Sequence, residues 1–216
     1  MSVVMVAAML AGAAPADPLM EAAQLVKAGK PEAALPILDA SLAGFAKDYA
    51  GEKRRIYCGN APTETIVYML GAAKDKADAV AIKPDWCEAL FLKAFALVDL
   101  GRLPEARTLL ERAVAMAPMH AHYLNELAYN YTQTREWPRA LELYESAISA
   151  AEIGAKEARI EEKGRGYRGV GFVRVEQGKW DEAKTAYDET LKLDPNDAKS
   201  KGELRYIAEN RPHDPK

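Results

Sequence analysis

A period of 34 residues constrains this chain more than any other feature. Three stretches end in proline: "ADAVAIKP" at Pro84, "LLERAVAMAP" at Pro118 and "YDETLKLDP" at Pro195. The first two prolines lie 34 residues apart. A second series, "LGRLPEA", "TREWPRA" and "QGKWDEA", ends at Ala106, Ala140 and Ala183, at intervals of 34 and 43. The nine extra residues fall in "AAEIGAKEARIEEKG", between Ala150 and Gly164. An earlier echo, "AGKPEAAL", occupies Ala28 to Leu35. Self-similarity at this spacing signifies stacked supersecondary units, none of which buries its apolar face alone.

Within each unit, small and large apolar residues recur at helical spacing. One unit carries Leu90, Ala94, Leu97, Gly101, Ala106, Leu110, Ala113 and Pro118. The next carries Leu124, Leu127, Ala128, Tyr131, Ala140, Tyr144 and Ala147, and the last Tyr167, Gly171, Gly178, Ala183, Tyr187 and Pro195. A weaker first unit has Ala22, Leu25, Gly29, Ala34 and Leu38. Alanine or glycine at the eighth and twentieth positions lets two helices approach closely, and large residues at i, i+3, i+4 fill the space between hairpins. Gly101 and Gly178 suit the left-handed cap that ends a first helix. The three prolines suit the ends of second helices. In these residues the chain resembles the tetratricopeptide repeat family, in a bacterial exported form.

The resemblance implies an all-α fold, a right-handed α-solenoid of stacked helix–turn–helix repeats with a C-terminal capping helix. The expected organisation is a signal segment at 1–16 and repeats over 17–210, followed by a tail at 211–216. The units fall at 17–48, 49–83, 84–117, 118–152 and 163–196, with the cap helix at 197–210. Unit 49–83 departs from the pattern. "ETIVYMLGAAKDKADAVAI" reads as a second helix with Ala72 and Ala79 at small positions, but "KDYAGEKRRIYC" has no glycine turn in register and "CGNAP" breaks the chain. In the final segment, "DAKSKGELRYIAENRP", Leu204 and Ile207 cover the end of the stack.

The string "GRGYRG" (Gly164–Gly169) matches G-x-G-x-x-G, yet a dinucleotide turn must follow a buried strand. Here it follows the polar, helical "EIGAKEARIEEK". Its glycines read as helix entry and close packing, with Gly171 at a small eighth position. Arg174 stands at a normally apolar point, which implies a carboxylate partner or a local slip of register. The formal net charge of −3 gives no basic face for nucleic acid. Val, Ile and Thr form no alternating strand-like runs, and Ala and Leu are abundant, which favours helix.

The first sixteen residues, MSVVMVAAMLAGAAPA, carry no charge and end in an A-x-A site, so they read as a cleaved secretory signal with no stable membrane span afterwards. The n-region lacks Lys and Arg, and the other reading is a buried N-terminal helix or misassigned start. The localisation expected is periplasmic or secreted, or cytoplasmic if the segment is not a signal. Cys58 and Cys87 are the two cysteines; an even count in an exported chain permits one disulfide, and two buried thiols is the alternative. His120 and His122 diverge on a helix and read as solvated helix-start residues. No metal, cofactor or catalytic motif is found, so the chain is read as no enzyme.

Function is therefore expected on the concave face. By the resemblance, first helices line it, and the groove residues carried over are Phe91 and Phe95, then His122, Asn125 and Tyr129, then Arg165, Arg168 and Phe172. Asn125 would hold a peptide backbone and Arg168 a carboxylate. The resulting reading is a module that binds a protein or peptide partner without catalysis. Its alternatives are a small-molecule enzyme or a self-assembling structural protein on the same scaffold.

Overall fold

The computed structural model describes residues 17–212; the expected signal at 1–16 and the last four residues lie outside the described residues. The first hairpin pairs α1 (Pro18–Lys27) with α2 (Pro31–Asp48). An insert follows, made of β1 (Arg55–Cys58), α3 (Pro62–Lys74) and β2 (Ala79–Ile82). Then come α4 (Asp85–Asp99) with α5 (Leu103–Met116), and α6 (Ala121–Gln133) with α7 (Trp137–Ala150). After a 3₁₀ turn at Lys156–Ala158, α8 (Arg159–Glu176) pairs with α9 (Trp180–Leu193), and α10 (Ala198–Asn210) follows.

Each hairpin turns on a residue with positive φ: Gly29 (69°), Gly101 (72°), Arg135 (58°) and Gly178 (70°). The next amide reaches back to the helix, as Arg102 N donates to Leu97 O at 2.8 Å and Lys179 N to Arg174 O at 2.8 Å. These bonds satisfy carbonyls that a helix end leaves open. Arg135 stands where its counterparts are glycine, in a region that costs an L residue about 1–2 kcal/mol. Proline then opens the second helix of the first three repeat hairpins, at Pro31, Pro104 and Pro138, where no donor is needed.

The small positions are fully buried: Ala94, Ala106, Ala128, Ala140 and Ala183. On α8 glycine goes further. A Cβ on Gly166 would stand 2.6 Å from Ile148 Cγ1, and one on Gly171 would stand 2.7 Å from the Tyr187 ring. At Gly169 it would overlap the Tyr144 ring. The glycine string is thus a packing surface. Gly164 and Gly166 lie inside the helix rather than at its entry, because α8 begins at Arg159. Arg174 finds its carboxylate, Glu182, at 3.0 Å. One apolar core runs from Ala22 on α1 to Val173 on α8. A smaller cluster of Ala183, Tyr187 and Ile207, with Leu204 packed on it, seats α10 on α9.

The expected second helix of unit 49–83 is corrected. α3 ends at Lys74, Lys76 turns with φ 56°, and Ala79–Ile82 is strand rather than helix. β2 runs parallel to β1, with Arg55 opposite Ala79 and Cys58 opposite Ile82. Four-residue strands rich in Val, Ile and Tyr are too short to leave a period in sequence. Side chains alternate across β1: Tyr57 stacks on Tyr68 of α3 (5.3 Å), while Cys58 is bonded to Cys87 of α4 with Cα atoms 6.2 Å apart. That disulfide ties the insert to the repeats. It closes a loop of 29 residues, worth about 3–4 kcal/mol by chain entropy. The double variant Cys58→Ser with Cys87→Ser is expected to lose about that much in urea unfolding, with faster amide exchange in β1 and β2 than in α6 and α7.

Candidate functional site

The first helices of the last three hairpins, α4, α6 and α8, carry all eight expected groove residues, but five of these are turned to structural use. Phe91 on α4 is buried, edge-on to His122 (4.8 Å) and stacked on Tyr123 (5.6 Å). Asn125 is 0% exposed and holds no outside backbone; its amide donates to Glu162 O at 3.1 Å and to Glu162 Oε2 at 2.9 Å. His122 Nδ1 lies 2.8 Å from Glu162 Oε1, so it is a partner of α8 rather than a solvated end residue. Arg165 is paired with Glu126. Arg168 meets Asp197 at 2.8 Å, and Asp197 in turn caps α10 by accepting from Ser200 N at 2.6 Å. Neighbouring repeats are thus sewn together by the polar residues that the spacing placed on the groove.

Tyr129 (43% exposed) and Phe172 (42%) remain open, and Phe95 is exposed further along. Tyr129 and Phe172 line a groove of about 930 Å³ with Thr132, Gln133, Arg165, Arg168, Lys199 and Glu203. Trp137 stands edge-on to Phe172, 6.4 Å between ring centres. Tyr144, Gly169 and Tyr187 reach the same groove. Its far wall is α10, whose Lys199 and Glu203 the repeat spacing did not single out. The signal was there: they are i, i+4 on a helix whose Leu204 and Ile207 are committed to packing.

A second gathering of polar groups was not foreseen. Asn60, Glu64, His120, His122, Arg159 and Glu162 surround a cavity of about 70 Å³ where α3, α6 and the loop before α8 meet. The loop is the nine-residue insertion, and Thr63 donates to its Ile153 carbonyl. Glu64 is 2% exposed and accepts from Tyr68 Oη at 3.3 Å. Burial pushes its carboxyl up to about 7. Burial also pushes His120 down to about 4, with His122 adding to the effect, and His120 Nδ1 has no partner among the described residues. Burial raises Glu162 too, but the hydrogen bond and charge of His122, the Asn125 amide and the Arg165 charge outweigh it and hold it below the usual range. Among the described residues, no group of three or more His, Cys, Asp or Glu is placed to hold a metal.

Glu64 and His120 act on stability with opposite signs. The folded state holds the Glu64 proton more tightly, so through this group stability falls as pH rises from 4.5 to about 7. The folded state disfavours protonated His120, so through that group stability falls as pH drops from 6.5 to about 4. Urea midpoints measured across this range should separate them. His120→Gln should become less stable with rising pH relative to the parent, and Glu64→Gln more stable. Identical pH profiles for parent and both variants would contradict the assignment.

The comparisons with known proteins agree with this geometry. A tetratricopeptide repeat family model matches residues 91–155, and a second matches residues 169–197. No curated protein matches. Among solved structures, the TPR-like repeats of a putative kinesin light chain from Podospora anserina are 17% identical, with a TM-score of 0.60 over 89% of this chain and 84% of that one. MamA AMB-1 is 20% identical, with a TM-score of 0.54 over 89% and 86%. The first TPR of Spaghetti (RPAP3), bound to the HSP90 peptide SRMEEVD, is 21% identical, with a TM-score of 0.50 over 57% and 90%. Among the described residues, no helix is long and apolar enough to cross a membrane. The chain carries tetratricopeptide repeats in an all-α repeat fold.

Proposed function

We propose that this chain is a non-enzymatic module that binds a peptide or protein segment in the groove between α6, α8 and α10. The observation that carries this reading is the pair of open aromatic rings, Tyr129 and Phe172, in a groove of about 930 Å³. Exposed aromatics in a concave site are the residues that dominate binding energy when a partner desolvates them. The volume lies within the range of about 300–1,000 Å³ found for ligand sites. A repeat domain of similar fold holds a peptide, which supports the same use here.

The chemistry of the walls narrows the partner. Arg165 and Arg168 already hold Glu126 and Asp197, so a ligand carboxylate would have to displace an internal one. Recognition then rests on apolar side chains against Tyr129 and Phe172, on polar contacts to Gln133, and on Lys199 and Glu203 at the rim. An enzymatic reading has less support. The small cavity beside Glu64 and His120, at about 70 Å³, has room for water but falls far below the size of a substrate site.

The compartment proposed is the periplasm or the cell exterior, with residues 1–16 removed as a signal. The Cys58–Cys87 disulfide supports it, because such bonds persist where glutathione does not reduce them. A displayed random-peptide library tests the groove. Peptides enriched on the parent protein should bind Tyr129→Ala with Phe172→Ala at least about tenfold more weakly, with helicity unchanged. Equal affinity for the double variant would discard the site.

A further inference from the structure

Helix α3 is inside out. It buries its one acidic residue, Glu64, together with Tyr68 and Ala72. It shows water Ile66 (59% exposed), Val67, Met69 and Leu70 (65%). Thr63, Ile66, Val67, Leu70 and Lys74 follow one another at helical spacing, so they form a single stripe. Between Pro62 and Ala73 the only charged side chain is the buried Glu64. Solvated helix faces are normally charged, and a contiguous apolar face marks a contact surface.

The rim of the stripe is cationic on balance, with Lys53, Arg54, Arg55, Lys74 and Lys76 set against Glu52, Asp75 and Asp78. Lys74 ends the stripe and Lys76 follows in the turn. Arg55 binds both ends of that turn, its side chain reaching Asp75 at 3.0 Å and its amide donating to Asp78 O at 2.8 Å. The run Lys53-Arg54-Arg55 therefore lies at the same end of α3. Arg54 and Arg55 are paired with Glu52 and Asp75, while Lys53, Lys74 and Lys76 have no carboxylate in ion-pair reach among the described residues.

The size of the patch limits its occupant. A helix of 13 residues offers on the order of a few hundred Å² of apolar face. A stable dimer needs about 600 Å² or more from each partner. A bilayer has no such threshold: it takes up a short apolar stripe without shape complementarity, and its anionic headgroups attract the cations beside it. We propose that α3 docks the protein on an anionic lipid surface. Ile66, Val67 and Leu70 enter the boundary between headgroups and acyl chains, and Lys53, Lys74 and Lys76 meet the phosphates. The helix lies on the membrane and does not span it. This surface is independent of the peptide groove.

Vesicle sedimentation tests it, on the full chain and on the form beginning at Asp17, so that the apolar residues 1–16 do not mask the readout. The probes are phosphatidylcholine vesicles with and without about one part in three of phosphatidylglycerol. Both protein forms should sediment with the anionic vesicles, less so in high salt. Ile66→Ser with Leu70→Ser should weaken binding at least about tenfold. Lys74→Gln with Lys76→Gln should weaken it several-fold and flatten the salt dependence. All four residues are exposed, so the variants should keep the parent's helicity and melting temperature. No binding of the Asp17 form to anionic vesicles would overturn the proposal, as would parent-like binding by the Ile66/Leu70 variant. A dimer seen by light scattering and lost in that variant, without vesicle binding, would assign the face to a second copy and overturn it too.

Discussion

Two tyrosine rings lying against bare helical backbone set the geometry of this molecule's C-terminal half. Tyr144 from α7 and Tyr187 from α9 occupy the space that side chains at Gly169 and Gly171 of α8 would fill. That close approach brings α8 near enough to α6 for Asn125 and His122 to hold Glu162. It also lets Arg168 reach Asp197 and so fix the start of α10. The groove floor, with Tyr129 and Phe172, is what remains between these helices. Without the glycines, α8 would stand off its neighbours and the polar links across the repeats would be out of reach.

The repeats were legible because their constraints are local and recur. A glycine with positive φ, a proline just past a helix end and an alanine at a helix crossing each leave one letter at a fixed spacing. Gly101, Ala106 and Pro118 could be read in that way, and the structure places them as turn, contact and helix stop. Arg135 shows that position matters more than identity: it takes up the same turn conformation without being glycine.

The insert was not legible for the same physical reason in reverse. β1 and β2 pair residues 24 apart in sequence, and each strand is four residues long. Alanine-rich "KADAVAI" suits a helix as well as a strand, and only pairing with "RIYC" decides between them. The site was legible in part. First helices do line the groove, and Tyr129 and Phe172 lie open in it. Asn125 and Arg168 are instead consumed by contacts with Glu162 and Asp197, which lie 37 and 29 residues away in sequence and across a helix interface. The cluster around Glu64 and His120 was hidden because it joins the two places where the period fails, the insert and the nine-residue insertion.

The most direct test is the sign of two glycine-to-alanine changes in urea unfolding. Gly44 on α2 has nothing near its missing Cβ, so Gly44→Ala should stabilise by about 0.5–1 kcal/mol through helix propensity. Gly169→Ala should destabilise by about 1–3 kcal/mol, because the Tyr144 ring occupies the place of the added methyl. A Gly169→Ala protein as stable as the parent, or more so, would contradict this account of how the repeats are held together.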